Sequence, residues 1–148
     1  MTDVEFWKLI SLIDARALDR GDEDAAIHPL QMARCGGYTE SDLMEFEEAL
    51  AQKLYAIDGE IYAKNAGESG GSDDGFLYAR LYVVAKGQGF YESVLADPKK
   101  MPKSIDQWCE PLLYVPRDAW QRLTGQDVSL WPYSPSVSFE SGSNEKLW

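Results

Sequence analysis

The chain has little of what most enzyme active sites are built from. Its 148 residues include a single histidine, His28, and two isolated cysteines, Cys35 and Cys109. One histidine without a second histidine or a nucleophile-elbow motif offers no recognisable catalytic triad. The two thiols are too few for a disulfide framework and are not spaced for zinc. We therefore expect reduced thiols, no metal and no cofactor, and the sequence favours a non-enzymatic role, although paired carboxylates could still perform acid–base work.

Long apolar runs and targeting signals are also missing. No stretch approaches the roughly 18 to 20 apolar residues that a membrane-spanning helix needs. The opening residues, MTDVEFWKLISLIDAR, carry acidic side chains at once and lack a basic start and a small-residue cleavage site, so they are not a secretory signal. We therefore expect a cytoplasmic protein that does not contact membranes.

Positive charge is scarce. The chain has 25 acidic and 14 basic residues, for a net charge of −11. Residues 1–50 hold 12 acids and 4 bases, a net charge of −8, and residues 51–148 hold 13 and 10, a net charge of −3. Direct binding to nucleic acid is disfavoured because phosphate recognition needs a basic surface. An acidic surface suits either solubility alone or contact with a basic protein partner.

What the sequence does have is helical periodicity. Thr2 and Glu5 form a capping-box pattern that starts a first helix, which we expect to run to about Leu18. A second helix is predicted over 24–34, ended by Gly36 and Gly37. The strongest pattern follows Thr39, where apolar residues recur every three or four positions in one continuous stripe: Leu43, Phe46, Leu50, Leu54, Ile57 and Ile61.

Glycines and prolines divide the second half into shorter pieces. A fourth helix is predicted after the loop 66–72, followed by short helices over 90–95 and 117–123. No internal repeat and no alternation of strands and helices is present. The predicted fold is all-α, a single-domain bundle of about five to six helices over residues 1–125.

Residues 126–148 form an irregular Pro/Ser-rich C-terminal tail. The tail has β-favouring residues but too many breakers for a long strand. Two interpretations stay open: it packs on the helices with Trp131 and Phe139 as anchors, or it remains partly flexible.

The stretch GESGGSDDGFLYAR, residues 67–80, is the most unusual in the chain. Asp73, Asp74 and Glu68 offer hard oxygen ligands for a divalent cation, but the alternating ligand pattern of a calcium loop is absent. The glycines resemble an anion-binding loop, yet no lysine follows them. The stretch also fits a plain helix start, with Ser72 or Asp73 as N-cap and Gly75 allowing close packing against a neighbouring backbone.

Arg80 lies among apolar residues of the same helix and needs an acidic partner from elsewhere, for which Asp58 and Glu60 are candidates. A structural network of aspartate and arginine and a ligand or partner site built on it both remain open. The candidate ligand- or partner-binding residues are Asp73, Asp74, Tyr78 and Arg80.

Four tyrosines could face one another along the third and fourth helices. Most such stripes form core edges with hydroxyls that reach water, and the alternative is an exposed aromatic patch for a partner. The four are Tyr55, Tyr62, Tyr78 and Tyr82.

The segment SDDGFLYARLYVVAKGQGFYESVLADP, residues 72–98, resembles a bacterial family known as domain of unknown function 4240. The shared features are S-D-D-G-F, the following Tyr and Arg, a G-x-x-x-[FY]-E segment and a closing D-P. EFWKLI and CEPLLYVPRDAWQRLTG are similar to the start and the C-terminal segment of the family. The resemblance implies a small, mainly helical intracellular domain, with no established activity and no catalytic residues.

The chain also departs from the family pattern. Tyr82 stands where Trp is expected, the glycine-rich loop before Ser72 is longer, and the tail beyond Gly125 lies outside the resemblance.

Two functional hypotheses follow. The first is a non-enzymatic interaction module that binds a basic partner, of which an immunity-type protein is one concrete form on the grounds of charge and size. The second is a small-molecule or divalent-metal-binding domain, conceivably an enzyme, centred on the SDDG helix start. The sequence does not indicate an oligomeric state.

Overall fold

The computed structural model describes residues 1–34 and 37–148. Every regular element in these two ranges is a helix, which confirms the all-α prediction. The α-helices are α1 (Asp3–Ile10), α2 (Ala15–Asp19), α3 (Glu23–Arg34), α4 (Glu40–Ala56), α5 (Glu60–Lys64), α6 (Asp73–Ala85), α7 (Gln88–Ala96) and α8 (Val115–Thr124). Short 3-10 helices occupy Gly67–Gly70, Pro98–Lys100, Glu110–Tyr114, Val128–Leu130 and Glu145–Leu147. The expected helix end at Gly36 and the thiol of Cys35 lie outside the described residues.

The predicted first helix is two helices, because a second cap interrupts it. The capping box of Thr2 and Glu5 starts α1 as expected, but α1 ends at Ile10. The side chain of Asp14 then accepts hydrogen bonds from the main-chain amides of Arg16 and Ala17, at 3.0 and 3.2 Å. Aspartate is a strong N-cap residue, so the chain starts α2 there and changes direction.

The predicted stripe from Leu43 to Ile61 is also divided. Helix α4 ends at Ala56, and the side chain of Ile61 is 56% exposed. Gly59 has an extended backbone, and a Cβ atom at this glycine would lie 2.8 Å from Cβ of Leu147. The C-terminal residues therefore pack against the break between α4 and α5. These two divisions explain why the structure has more α-helices than the five or six predicted.

Helix α6 lies at the centre of the molecule. All of its residues from Gly75 to Ala85 are buried except Tyr78, as expected of a helix that is apolar on most of its circumference. Its side chains join one core cluster with Phe6 of α1 and Leu50 of α4. A smaller cluster forms where Leu43 meets Ala119 and Trp120 of α8.

The tyrosines of the third and fourth predicted helices belong mainly to this core. Tyr62 and Tyr82 are buried, and Tyr55 and Tyr78 are half-buried. The hydroxyl of Tyr62 donates a hydrogen bond to the carbonyl oxygen of Leu95. The core-edge interpretation therefore fits Tyr62 and Tyr82, which belong to the core cluster, and Tyr78, which packs against it.

The residues after α8 lie against the helices. Trp131 packs edge-on against Trp120, with 5.6 Å between the ring centroids, and Phe139 contacts the main core. Among the described residues, no helix is both long and apolar enough to cross a membrane.

Candidate functional site

The start of α6 is built by one cap and one close approach. The hydroxyl of Ser72 accepts a hydrogen bond from the amide of Gly75 at 3.0 Å, which confirms Ser72 as the N-cap. A Cβ atom on Gly75 would lie 2.8 Å from the carbonyl oxygen of Ser69 and 3.2 Å from the Trp108 ring. The expected close packing at Gly75 is confirmed, and it brings Trp108 against the first turn of α6.

The two aspartates occupy the first turn of α6 with exposed side chains. They suit the positive end of the helix dipole. The main-chain carbonyl of Asp73 also accepts a hydrogen bond from the hydroxyl of Ser141 at 2.7 Å. Within the described residues, no three His, Cys, Asp or Glu side chains form a group that could hold a metal ion.

Asp74 and Tyr78 are four residues apart on α6, so they lie on the same helical face. The 3-10 helix Glu110–Tyr114 runs beside this face, anchored where the amide of Cys109 donates to the carbonyl of Tyr78 at 3.2 Å. The Tyr78 ring packs edge-on against Trp108, with centroids 5.6 Å apart. Tyr78 therefore lies at the contact between α6 and the segment that contains Trp108 and the 3-10 helix Glu110–Tyr114.

A carboxylate on the 3-10 helix completes the arrangement. The hydroxyl of Tyr114 donates a hydrogen bond to Oε1 of Glu110 at 2.9 Å. This bond, together with burial and the charges of Glu110 and Asp74, raises the pKa of Tyr114 to about 12. Burial, a hydrogen bond to Glu110 and the charges of Glu110, Asp74 and Glu140 raise the pKa of Tyr78.

These shared influences define one surface, which we call the acid–aromatic patch: Asp74, Tyr78, Trp108, Glu110, Tyr114 and Glu140. Among the ion pairs formed by described residues, none involves Asp74, Glu110 or Glu140. Carboxylates beside aromatic rings attract cations, because negative charge and the ring quadrupole act in the same direction. The patch can therefore hold an ammonium or guanidinium group.

Arg80 lies elsewhere. It is completely buried, and its guanidinium donates to the carbonyl oxygens of Leu54 and Phe139 at 3.0 and 2.9 Å. A third hydrogen bond, at 3.0 Å, goes to the hydroxyl of Ser141. Burial lowers the pKa of Arg80 to about 10, although the charges of Asp58 and Glu140 oppose this.

The expected ion pair of Arg80 with Asp58 or Glu60 is wrong in its geometry. Asp58 is close enough to influence Arg80 electrostatically, but its carboxylate accepts its hydrogen bonds from the C-terminal residues. Glu60 is exposed and pairs with Lys64 at 2.9 Å. Nothing in the sequence indicated that Asp58 and Arg80 would both find hydrogen-bond partners among the residues beyond 138.

Of the four sequence candidates, the structure brings Asp74 and Tyr78 together in the patch. The main chain of Asp73 contacts Ser141 instead, and Arg80 belongs to a separate buried site. Sequence reasoning missed Trp108, Glu110, Tyr114 and Glu140. One signal was present: Glu110 and Tyr114 repeat the four-residue spacing of an acid and a tyrosine seen in Asp74 and Tyr78.

Cys109 is fully buried, and burial raises the pKa of its thiol. The thiol is therefore inert as a nucleophile, since the reactive form is the thiolate.

Comparisons with curated proteins and with solved structures found no match. A family model described as "Protein of unknown function (DUF4240)" matches residues 1–122. The match contains five residues of the acid–aromatic patch, Asp58 and Arg80, whereas Glu140 and the C-terminal residues lie beyond it. Because the match covers most of the 148 residues, the chain belongs to this family of proteins of unknown function.

Proposed function

We propose that this protein is a non-enzymatic interaction module that binds a basic protein partner. In this proposal the acid–aromatic patch receives a lysine or arginine side chain of the partner. The observation that carries the proposal is that Asp74 and Glu110 lie beside the same two tyrosines, Tyr78 and Tyr114. Tyr114 donates a hydrogen bond to Glu110 at 2.9 Å. The charges of both acids raise the pKa of both tyrosines, whereas Glu140 acts on Tyr78 alone.

The geometry of the patch favours a cation over a neutral ligand. The hydrogen bond from Tyr114 holds the Glu110 carboxylate in place before any partner arrives. Tyr78 and Trp108, packed edge to face, offer ring surface beside that carboxylate. A cation over an aromatic ring is stabilised by about 0.5–1 kcal/mol at an exposed site and by about 2 kcal/mol where water is excluded.

The overall charge supports the same partner chemistry. A net charge of −11 attracts a basic protein over distance and raises its association rate, an effect that salt weakens. An immunity-type protein that neutralises a basic toxin is one concrete form of this proposal. The metal-binding alternative at the SDDG start remains a prediction, and the described residues supply no ligand group for it.

The test is a titration of the full-length, ¹⁵N-labelled protein with a short arginine-rich peptide, followed by NMR. We expect the largest shift changes at the Trp108 indole and at the amides of Asp74, Tyr78, Glu110 and Tyr114. Glu110→Gln should weaken binding by about fivefold, the equivalent of about 1 kcal/mol.

Glu92→Gln is the matched control, because Glu92 is an exposed acid on α7 and its loss changes the net charge equally. If both variants weaken binding to the same extent, or if the shifts spread over the whole acidic surface, binding follows net charge and the patch is not the site.

A further inference from the structure

The C-terminal residues 131–148 lie along α4, α5 and α6 in a manner that differs from ordinary core packing. Along positions 131–143 the side chains alternate without interruption between half-buried and exposed. This period of two is that of a chain with one face against a surface. The segment also bends at 136–137, turns at 141–142, where Gly142 has a φ of 88°, and ends in the 3-10 helix Glu145–Leu147. No strand pairs with the segment within the described residues. We call residues 131–148 the C-terminal strap.

Asp58, in the break between α4 and α5, is the first group that holds the strap. Its carboxylate is completely buried and accepts four hydrogen bonds, all from the strap. Two come from main-chain amides, of Gly142 and Asn144, both at 2.9 Å. The others come from the hydroxyl of Ser143 at 3.2 Å and the indole nitrogen of Trp148 at 3.0 Å.

Arg80 is the second group. It donates to the main-chain carbonyl of Phe139 and to the hydroxyl of Ser141. Its guanidinium also lies over the ring of Phe76, 4.7 Å from the centroid, and that ring packs edge-on against Trp148. The Nε atom of Arg80 is buried without a hydrogen-bond partner among the described residues, so part of this buried cation is left unsatisfied by the strap.

Glu48 of α4 is the third group. It accepts hydrogen bonds from the hydroxyl of Tyr133 at 2.6 Å, from the amide of Ser136 at 2.9 Å and from the Ser136 hydroxyl. Three ionisable side chains of the helical body therefore bind the strap, and each contacts its main chain at least once.

We propose that the groove lined by Glu48, Asp58 and Arg80 is a binding site for a polypeptide segment, and that the C-terminal strap is its resident, exchangeable ligand. Recognition of main-chain amides and carbonyls gives a protein affinity for a peptide, and pockets for side chains add specificity. Glu48, Asp58 and Arg80 lie inside the family match, and the strap lies outside it. The ligand class is a segment that turns at a small polar stretch and continues to an asparagine and a tryptophan, in the spacing of Ser141, Asn144 and Trp148.

This inference does not depend on the proposed function, because it concerns a different surface. The two sites adjoin at Glu140, which belongs to the strap and contributes charge to the acid–aromatic patch.

The test uses the full chain with a protease recognition sequence inserted between Gln126 and Asp127, both of which are exposed. The protein is folded, cut and then mixed with a fluorescein-labelled peptide of residues 127–148, whose binding is followed by anisotropy. We expect the strap to stay associated after the cut and the labelled peptide to exchange with it. The uncut protein should bind the label far more weakly, because its own strap competes at a high effective concentration.

The recognition residues are changed in the peptide, so the folding of the helical body is not at risk. Asn144→Ala and Trp148→Ala should each weaken binding by about tenfold, since each removes a hydrogen bond to a buried group. Lys146→Ala, at an exposed position between them, is the matched control and should bind like the unchanged peptide.

Circular dichroism of the cut protein separates exchange from unfolding. The proposal is overturned if the label does not exchange while the helices remain intact. It is equally overturned if exchange occurs only with loss of helix, or if the two recognition variants bind as tightly as the Lys146 control.

Discussion

At the scale of single residues, aspartates that look alike in the sequence differ in burial and in hydrogen bonding once the chain is folded. Asp73 and Asp74 stand in the most conspicuous motif but have exposed side chains. Asp58 stands in an unremarkable stretch, is completely buried and accepts four hydrogen bonds. A buried carboxylate is costly unless donors surround it, so Asp58 depends on the strap as much as the strap depends on Asp58.

We predict that Asp58→Asn lowers the free energy of unfolding by about 3 kcal/mol, as measured by urea denaturation. The new NH₂ group would face donors that now point at a carboxylate oxygen, which leaves buried groups unpaired. Asp74→Asn is the control: as a change at an exposed side chain it should cost less than about 0.5 kcal/mol. Similar losses in both variants would contradict the role assigned to Asp58.

At the scale of elements, the start of α6 shows how a glycine can be required inside a helix. Alanine is normally favoured over glycine there by about 1 kcal/mol. At Gly75, however, the added Cβ would lie 2.8 Å from the carbonyl oxygen of Ser69, which the protein backbone holds in place. Relief of that contact must move the 3-10 helix Gly67–Gly70 away from α6, and the Trp108 ring, 3.2 Å from the added Cβ, must shift as well.

We therefore predict that Gly75→Ala destabilises the protein by about 1–3 kcal/mol, the usual cost of overpacking. Gly89→Ala in α7 is the matched control, since nothing lies within 4 Å of its added Cβ, and it should be neutral or stabilising by up to about 1 kcal/mol. Thermal unfolding of both variants measures the difference, and a stabilised Gly75→Ala would show that the contact yields easily.

The same elements show what the sequence could reveal. The caps at Thr2, Thr39 and Ser72 could be predicted, because they depend on neighbours within a few residues. Close packing at Gly75 was expected from the glycine itself, but its neighbour Trp108 could not be predicted. The helix breaks after Ile10 and Ala56 could not be predicted, since a continuous apolar stripe does not show where the chain turns. Only part of the acid–aromatic patch could be predicted from the sequence. Asp74 and Tyr78 belong to one motif, whereas Glu110 and Glu140 reach the patch only through tertiary packing.

At the scale of the whole molecule, the strap joins distant parts of the chain through ionisable groups, so its attachment must depend on pH. Burial raises the pKa of Glu48, but the hydrogen bonds from Gln52, Ser136 and Tyr133 outweigh it and lower the value to about 2. The pKa of Tyr133 shifts in the opposite direction and rises to about 12, mainly because its hydroxyl donates a hydrogen bond to Glu48.

The contact between Glu48 and the strap should therefore weaken in acid. Because the pKa of Glu48 is lower in the folded protein than its ordinary value of 4.5, its contribution to stability is complete above about pH 4.5 and is lost as the pH falls towards about 2. We predict that Glu48→Gln lowers the free energy of unfolding near neutral pH and that this loss of stability shrinks on acidification, as measured by urea denaturation at a series of pH values.

Glu92→Gln, on the exposed side of α7, serves as the control and should show a small difference at every pH. A deficit for Glu48→Gln that stays constant down to about pH 2.5 would mean that the charge of Glu48 does not hold the strap.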